Sequence, residues 1–203
     1  MNIYYISNSP SYELRYNFVG ITKSSKTVKS IKEEISNIPN FCRDQMSITV
    51  SELKSYISSG ISFFTENDEH TITGIINFDI NVNTINILGL CVPSPSAGIG
   101  TLLIESVKEF AKINNLTNIK LTCYDNVKNF YTKIGFKIKN TSNFYDSDED
   151  SDDESSKTRY DMEYLIAKSG GTKLKRKYKN KTYKKRKNTK RKNTKRKNTK
   201  RKL

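Results

Sequence analysis

The stretch that decides the fold is Ile85-Asn-Ile-Leu-Gly-Leu-Cys-Val92, which continues as Pro-Ser-Pro-Ser-Ala-Gly98-Ile-Gly100-Thr-Leu-Leu103. The first eight residues are mostly apolar and predict a strand. From Ile99 on, apolar side chains recur at the i, i+3, i+4 spacing of a helix. Because Gly98 and Gly100 lack a Cβ, an anion can approach the amides of the first helical turn, which have no partner within the helix. The pattern predicts an anion-binding turn, with a plain strand-to-helix connection as the alternative.

A second motif lies downstream, where Asp125-Asn-Val-Lys-Asn-Phe-Tyr-Thr-Lys-Ile-Gly-Phe136 follows an apolar strand. Together the two motifs resemble the GNAT superfamily of acetyl-CoA-dependent N-acetyltransferases. That family joins an Arg/Gln-x-x-Gly-x-Gly/Ala turn to a later short helix that ends Tyr-x-x-x-Gly-Phe. The stretches here are Pro95-Ser-Ala-Gly98-Ile-Gly100 and Tyr131-Thr-Lys-Ile-Gly135-Phe136. Since Pro95 replaces the Arg or Gln, the resemblance implies a cradle made of backbone amides alone.

The resemblance also implies roles for individual residues in binding acetyl-CoA and transferring its acetyl group. Tyr131 matches the family's tyrosine beside the coenzyme sulfur, which makes it the candidate general acid, with simple aromatic packing as the alternative. A backbone N–H of Leu90 or Cys91 would polarise the thioester carbonyl, and the Thr101 hydroxyl can reach a phosphate. The candidate cofactor-binding residues are Leu90, Cys91, Val92, Ala97, Gly98, Ile99, Gly100, Thr101 and Asn126.

The general base is not indicated by a motif. The family often carries a glutamate in the strand before the glycine turn, but here that neighbourhood reads Asn86 and Leu88. Glu66, Asp79 and Asp125 are the candidate substitutes, and each also reads as an ordinary surface carboxylate. Transfer of the amine proton through a water molecule is the alternative to a carboxylate base.

Periodicity predicts a mixed α/β domain over residues 1–168. The resemblance implies a GNAT-like α/β (α+β) fold, with a mixed, mostly antiparallel central sheet flanked by helices on both faces. Gly89 suggests a bulge or a close approach in the strand before the turn. Helices are expected over 27–38, from Ser47 or Thr49 to Gly60, over 99–113 and over 126–133. Strands are expected at the start of the chain and over 12–19, 61–65, 72–81, 84–92, 118–123, 135–139 and 158–167.

The formal net charge of +15 belongs to the end of the chain. Residues 170–203 hold nineteen Lys/Arg and no acid, so residues 1–169 carry seventeen basic against twenty-one acidic residues. The segment 169–203, with its repeats of Lys-Arg-Lys-Asn-Thr, lacks an apolar face and is expected to be disordered. Residues 173–202 would bind nucleic acid without sequence preference, or would serve targeting or solubility. Such Gly-Gly-led tails resemble those on proteins of large DNA viruses.

A second charged segment, residues 145–157, contains seven carboxylates. Like charges at this density repel one another and resist burial, so the segment is expected to be a disordered loop between two strands. It lacks the glycine of a calcium-binding loop, and no metal site is expected.

The remaining features concern the compartment. Cys91 and Cys123 fall in apolar strands and are expected to be buried free thiols, and no disulfide or zinc pattern is evident. No apolar run reaches membrane-spanning length, and the first residues read as a strand. The expected location is intracellular, cytoplasmic or nuclear, including the host cell of a virus.

Two functions follow from these patterns. The first is an acyltransferase that moves an acetyl group from acetyl-CoA to a primary amine, either of a small molecule or of a protein. The alternative is a weak or inactive GNAT-fold binding protein that its basic tail directs to nucleic acid or another polyanion.

Overall fold

The described residues of the computed structural model are 2–39, 41–42, 48–93, 98–144 and 157–167. They form one eight-stranded mixed sheet and five α-helices. The strands are β1 (Ile3–Ser7), β2 (Thr22–Lys23), β3 (Ile61–Glu66), β4 (Ile72–Asn81), β5 (Thr84–Cys91), β6 (Asn118–Tyr124), β7 (Lys137–Phe144) and β8 (Lys157–Leu165). The helices are α1 (Pro10–Arg15), α2 (Val28–Asn37), α3 (Val50–Ser59), α4 (Ile99–Ile113) and α5 (Asp125–Lys133).

The sheet is mostly antiparallel, as the sequence predicts. Its strand order is β2-β1-β3-β4-β5-β6-β8-β7, and only the pairs β1–β2 and β5–β6 are parallel. A parallel pair needs a crossover, which α4 provides between β5 and β6. The predicted acidic loop lies outside the described residues except for Lys157, at which β8 begins, and the predicted tail lies outside them entirely.

Helices cover both faces of the sheet, which confirms the predicted layering. On one face, α4 buries side chains such as Leu103 and Phe110 against Phe63 and Phe78 of the sheet. On the other face, α2 and α3 form a second cluster with Phe64 at its centre. Phe63 and Phe64 are neighbours in β3 and point to opposite faces, so this strand is buried on both sides.

One element differs from the prediction. The aromatic spacing over 12–19 predicts a strand, but residues Pro10–Arg15 form the short helix α1. Pro10 occupies its start, where the missing N–H costs nothing. Tyr12 and Tyr16 then stack at a centroid distance of 6.1 Å, the i, i+4 contact of a helix face. Phe18 follows and packs on Tyr5 at 4.0 Å.

A disulfide overturns the prediction of unpaired thiols. Cys42, just after α2, is bonded to Cys91 at the end of β5, with a Cα–Cα distance of 4.9 Å. Their sequence separation of 49 residues carries no recognisable spacing, because only the folded sheet brings the two positions together. Cys123 is free and buried, as predicted. The intracellular location remains a prediction.

The disulfide should contribute measurably to stability. Removing it by Cys42→Ser should lower the free energy of unfolding by about 2–4 kcal/mol, because the bond restricts the unfolded chain. Urea unfolding with and without dithiothreitol measures this contribution. Reductant should destabilise the native protein and leave Cys42→Ser unaffected; equal sensitivity of both proteins would contradict the assignment.

Candidate functional site

The sheet opens into a cleft between β5 and β6. The two strands pair over only three positions, Thr84 with Asn118, Ile85 with Ile119 and Asn86 with Lys120. Beyond them β5 continues along β4, while β6 continues along β8. The sheet therefore divides into two halves that separate toward the carboxyl ends of these strands.

A β-bulge shapes the β5 side of the cleft. Across the β4–β5 pair, Asn77 faces Gly89 and Phe78 faces Ile87, which leaves Leu88 as the extra residue. A bulge bends its strand and increases the local twist. A Cβ at Gly89 would lie 3.0 Å from Cδ1 of Ile48, so a side chain here would crowd that wall.

The cleft is narrow, with a volume of about 50 Å³, and is open to solvent. Its walls are residues 87–90 of β5 and 121–124 of β6, with Tyr131 and Val127 of α5 and Ile48. Most of these side chains are apolar, and Leu90 is only 5% exposed. Such a lining suits an uncharged, flexible chain that inserts between the strands.

The glycine turn leads directly into α4. Gly98 has φ of +69° in the left-handed region, and no side chain of the described residues caps the first turn of the helix. A Cβ built on Gly98 would meet no atom of the described part of the chain within 4 Å, so on that side the space beside the turn is open. The amides of Ile99, Gly100 and Thr101 lie in the first turn of the helix, where backbone N–H groups have no partner within the helix and the dipole is positive.

Aromatic contacts connect this turn to the second motif. A Cβ at Gly100 would lie 3.5 Å from Cζ of Phe130 and 3.8 Å from Leu90, so the start of α4 packs between α5 and β5. Phe130 contacts the ring of Tyr131 edge-on at 5.0 Å. Lys108 of α4 donates a 2.6 Å hydrogen bond to the Ile134 carbonyl just after α5. The two predicted motifs therefore lie side by side.

Tyr131 lies at the α5 side of the cleft and is 3% exposed. Burial, and next the nearby Cys123, raise the pKa of its hydroxyl well above the usual value for tyrosine. Burial also raises the pKa of the Cys123 thiol to about 11. Both groups are therefore protonated at neutral pH, and Tyr131 is in the state that a hydrogen-bond or proton donor needs.

A second cleft adjoins the first on the open face of β6, β8 and β7. It has a volume of about 800 Å³ and is lined by Tyr56 of α3, by residues 86–88 and 120–122, and by residues of β7 and β8 that are mostly polar. Ile87, Leu88, Leu121 and Thr122 line both clefts. The two clefts therefore adjoin along these four residues.

The other predicted cofactor residues are distributed around this site. Val92 is partly buried beside the first core cluster, and the side chain of Cys91 is held in the disulfide. Asn126 is exposed in the first turn of α5. Ala97, like Pro95, lies outside the described residues.

None of the three candidate bases is among the residues that line the two clefts. Glu66 is bound to Lys26 at 3.0 Å, and Asp79 accepts a 2.8 Å hydrogen bond from Asn86. The hydrogen bond from Lys128, and next that from the Tyr160 hydroxyl, lower the pKa of the Asp125 carboxyl. Asp125 is therefore a weak base as it stands.

Sequence reasoning missed the polar residues of the open face, above all Thr122 and Asp161. Their side chains are joined by a 3.0 Å hydrogen bond across β6 and β8. The alternation of polar and apolar residues in 118–124 was the available signal, since it marks one exposed face.

No group of three or more His, Cys, Asp or Glu residues in the described ranges is arranged to hold a metal ion. No helix in those ranges is both long and apolar enough to cross a membrane.

Comparison with known proteins begins with sequence. No protein-family model matches the chain. An uncharacterised protein of Bacillus subtilis (strain 168), YxbD, is 34% identical over 92 residues, which cover 40% of this chain and 58% of YxbD. The match thus spans less than two thirds of that relative.

Solved structures give a clearer result. The ribosomal-protein-S18-alanine N-acetyltransferase of Escherichia coli aligns with a TM-score of 0.54 and 13% identity, covering 73% of this chain and 94% of that one. An IAA acetyltransferase from Bacillus cereus ATCC 14579 aligns with a TM-score of 0.50 and 17% identity, covering 60% and 87%. The chain has the fold of the GNAT N-acetyltransferases, which confirms the fold predicted from the two motifs.

The two glycines of the turn should respond oppositely to alanine. Gly98→Ala should destabilise the protein by about 1–2 kcal/mol, because the left-handed backbone is costly for a residue with a Cβ. Gly100→Ala is the matched control: its Cβ has room, and alanine favours the helix by up to about 1 kcal/mol. Urea unfolding of both variants measures the change in the free energy of unfolding. Equal changes in the two variants would contradict the left-handed conformation of Gly98.

Proposed function

We propose that this protein transfers an acetyl group from acetyl-CoA to a primary amine. The observation that carries the proposal is the cleft between β5 and β6, which lies close to an uncapped glycine helix start and to Tyr131. The GNAT fold supports acetyl transfer as the reaction class. Other parts of the proposal rest on the geometry of the site and on the motifs.

The glycine turn would hold the pyrophosphate of the coenzyme. The amides from Gly98 to Thr101 face the open space at the positive end of the α4 dipole, and Thr101 adds an exposed hydroxyl. Ala97, which precedes Gly98 in the sequence, remains a predicted contact. Because these donors are backbone groups, the arrangement does not require the Arg or Gln that Pro95 replaces.

The strand edge of β5 would hold the pantetheine arm and the thioester. Past Asn86 this edge is no longer paired with β6, so its backbone groups can bond an extended ligand in the place of a strand. Leu90, Cys91 and Val92 form this segment. A backbone N–H of Leu90 or Cys91 would donate to the thioester oxygen, where negative charge develops during attack by the amine.

Tyr131 would donate its hydroxyl proton to the departing sulfur. Burial keeps the hydroxyl protonated across the neutral pH range. A phenol with a raised pKa is a weaker acid than a thiol, so the transfer is complete only if the phenolic oxygen takes a proton from the attacking nitrogen in the same step. Asn126, in the first turn of the same helix, is a further candidate contact to the coenzyme.

Calorimetric titration with acetyl-CoA tests the proposal. Gly98→Ala should bind acetyl-CoA more weakly than the native protein, because its methyl group would lie in the open space beside the helix amides. Gly100→Ala is the control and should keep the native affinity, because its Cβ faces Phe130 and Leu90 rather than that space. Absence of binding to the native protein would overturn the proposed function.

Tyr131→Phe should separate catalysis from binding. The variant keeps the ring that packs on Phe130 and Phe136, so acetyl-CoA affinity should stay nearly constant. Its kcat for acetyl transfer should fall by about 100-fold, the lower range for loss of a general acid. Release of free coenzyme thiol measures turnover. An unchanged kcat would remove Tyr131 from the mechanism.

A binding role for the tail is the second candidate function. Nineteen Lys/Arg without any acid in residues 170–203 favour contact with a polyanion such as nucleic acid. If the acetyl-transfer proposal fails, the folded part becomes a scaffold that the tail directs to that partner.

Truncation tests the role of the tail. A protein of residues 1–168 should lose binding to a fluorescent oligonucleotide, because the remaining chain is slightly acidic. Affinity of the full chain should fall linearly with the logarithm of the salt concentration, as counterion release requires. Retention by the truncated protein, insensitive to salt, would refute the role of residues 173–202.

A further inference from the structure

The place where the two clefts meet has one polar side chain among the residues that line both. Ile87, Leu88 and Leu121 are apolar, and the fourth shared residue is Thr122. An amine that approaches a thioester in the smaller cleft from the larger one would pass beside these four residues. The chemistry of the neighbours of Thr122 therefore bears on how the amine arrives.

Thr122 donates its hydroxyl to the carboxylate of Asp161, with an Oγ1–Oδ1 distance of 3.0 Å. The two residues are direct partners across the antiparallel β6–β8 pair. Asp161 also lines the larger cleft. The hydrogen bond fixes the orientation of this carboxylate beside Thr122, on a strand rather than on a loop.

The carboxylate of Asp161 keeps capacity for another donor. An ionised carboxylate offers about four acceptor sites, and among the described residues Thr122 is its one side-chain partner. Glu163, two residues along the same face, differs: it binds Lys139 at 2.8 Å and Asn118 at 2.7 Å. Those two contacts lower the pKa of Glu163, so it is already engaged as an anion.

We infer that Asp161 is the general base that takes the proton from the protonated amine, and that Thr122 positions it. This inference rests on the proposed acetyl transfer. It replaces Glu66, Asp79 and Asp125, which the sequence offered as bases and which lie outside the walls of both clefts.

The ammonium of the acceptor gives one proton to Asp161, and its nitrogen lone pair then forms a bond to the thioester carbon. The carbonyl electron pair moves to oxygen and returns as the carbon–sulfur bond breaks, with that bond's pair leaving on sulfur. The second nitrogen proton reaches sulfur through the Tyr131 hydroxyl, and Asp161 releases its proton to solvent. The products are an amide, the free thiol and one proton.

Other charged groups surround Asp161 and contribute to any pH dependence. The groups on the elements that line this cleft are Lys120 of β6, Lys139 of β7, Arg159 and Glu163 of β8, and Tyr56 of α3. None of them is exchanged in the variants below, so their contribution cancels between the native protein and each variant.

The experiment uses two small acceptors that differ in protonation. Ethylamine is an ammonium at neutral pH and must lose a proton, whereas hydroxylamine is mostly unprotonated and needs no base before attack. For Asp161→Asn, kcat/KM should fall by about 100-fold with ethylamine and stay nearly unchanged with hydroxylamine. The loss of kcat/KM with ethylamine should become smaller as the pH rises, because a larger fraction of the ethylamine is then already deprotonated.

Matched variants define the controls. Thr122→Val should lower kcat/KM with ethylamine by less than Asp161→Asn does, and should leave kcat/KM with hydroxylamine nearly unchanged. Thr122→Ser should have the native kcat/KM with both acceptors, because serine keeps the hydroxyl. Asp68→Asn, in an exposed turn remote from both clefts, should behave like the native protein. Asp125→Asn tests the rival base: a selective loss there, with none in Asp161→Asn, would overturn the inference.

The remaining outcomes are also decisive. Equal losses with both acceptors, or no loss, would show that Asp161 does not act as the base. Calorimetry with acetyl-CoA on the same variants separates the two proposals. If the native protein binds no acetyl-CoA, the proposed function fails. If it binds acetyl-CoA but acetylates neither acceptor, the acceptor site assigned here is wrong while the coenzyme site stands.

Discussion

The early end of the parallel pairing between β5 and β6 is the constraint on which the site depends. After three paired positions the two strands have different partners, and the backbone of β5 beyond Asn86 is left with one free edge. Backbone groups in such a place need a bonding partner, and an extended ligand can provide it. The bulge at Leu88 and the uncapped start of α4 both lie along this edge.

Packing holds the divided sheet together. The helix α4 spans the gap as the crossover, and its contacts with α5 keep the second half of the sheet in place. Lys108 is central to this contact, since its ammonium bonds the Ile134 carbonyl and lies 4.4 Å from the ring centre of Tyr164. The cleft can therefore stay open without a loss of order in the surrounding sheet.

Local sequence was sufficient to predict most of the fold. Apolar periodicity located α4 at residues 99–113, where the structure has it, and Thr49 begins α3 with a hydrogen-bonded capping box. The paired glycine and tyrosine motifs indicated the architecture because their order along the chain is specific. The strand predicted over 12–19 was wrong because alternating aromatic residues fit both a strand and a short helix.

The parts that could not be predicted depend on contacts between distant residues. The Cys42–Cys91 bond and the Thr122–Asp161 hydrogen bond each join residues whose proximity follows from sheet register, which a single sequence does not encode locally. A carboxylate on β8 therefore looked like any other surface acid. The position of the strand partner, rather than its own sequence context, brings it to the cleft.

The disulfide also has a consequence for the order of folding. The covalent loop from Cys42 to Cys91 contains α3, β3, β4 and β5, which are neighbours in sequence and pair as an antiparallel meander. Contacts of short sequence separation form quickly, whereas the parallel β5–β6 pair must wait for the α4 crossover. The disulfide can therefore form without β6. It can form even before the residues of β6, which complete the cleft, have been synthesised.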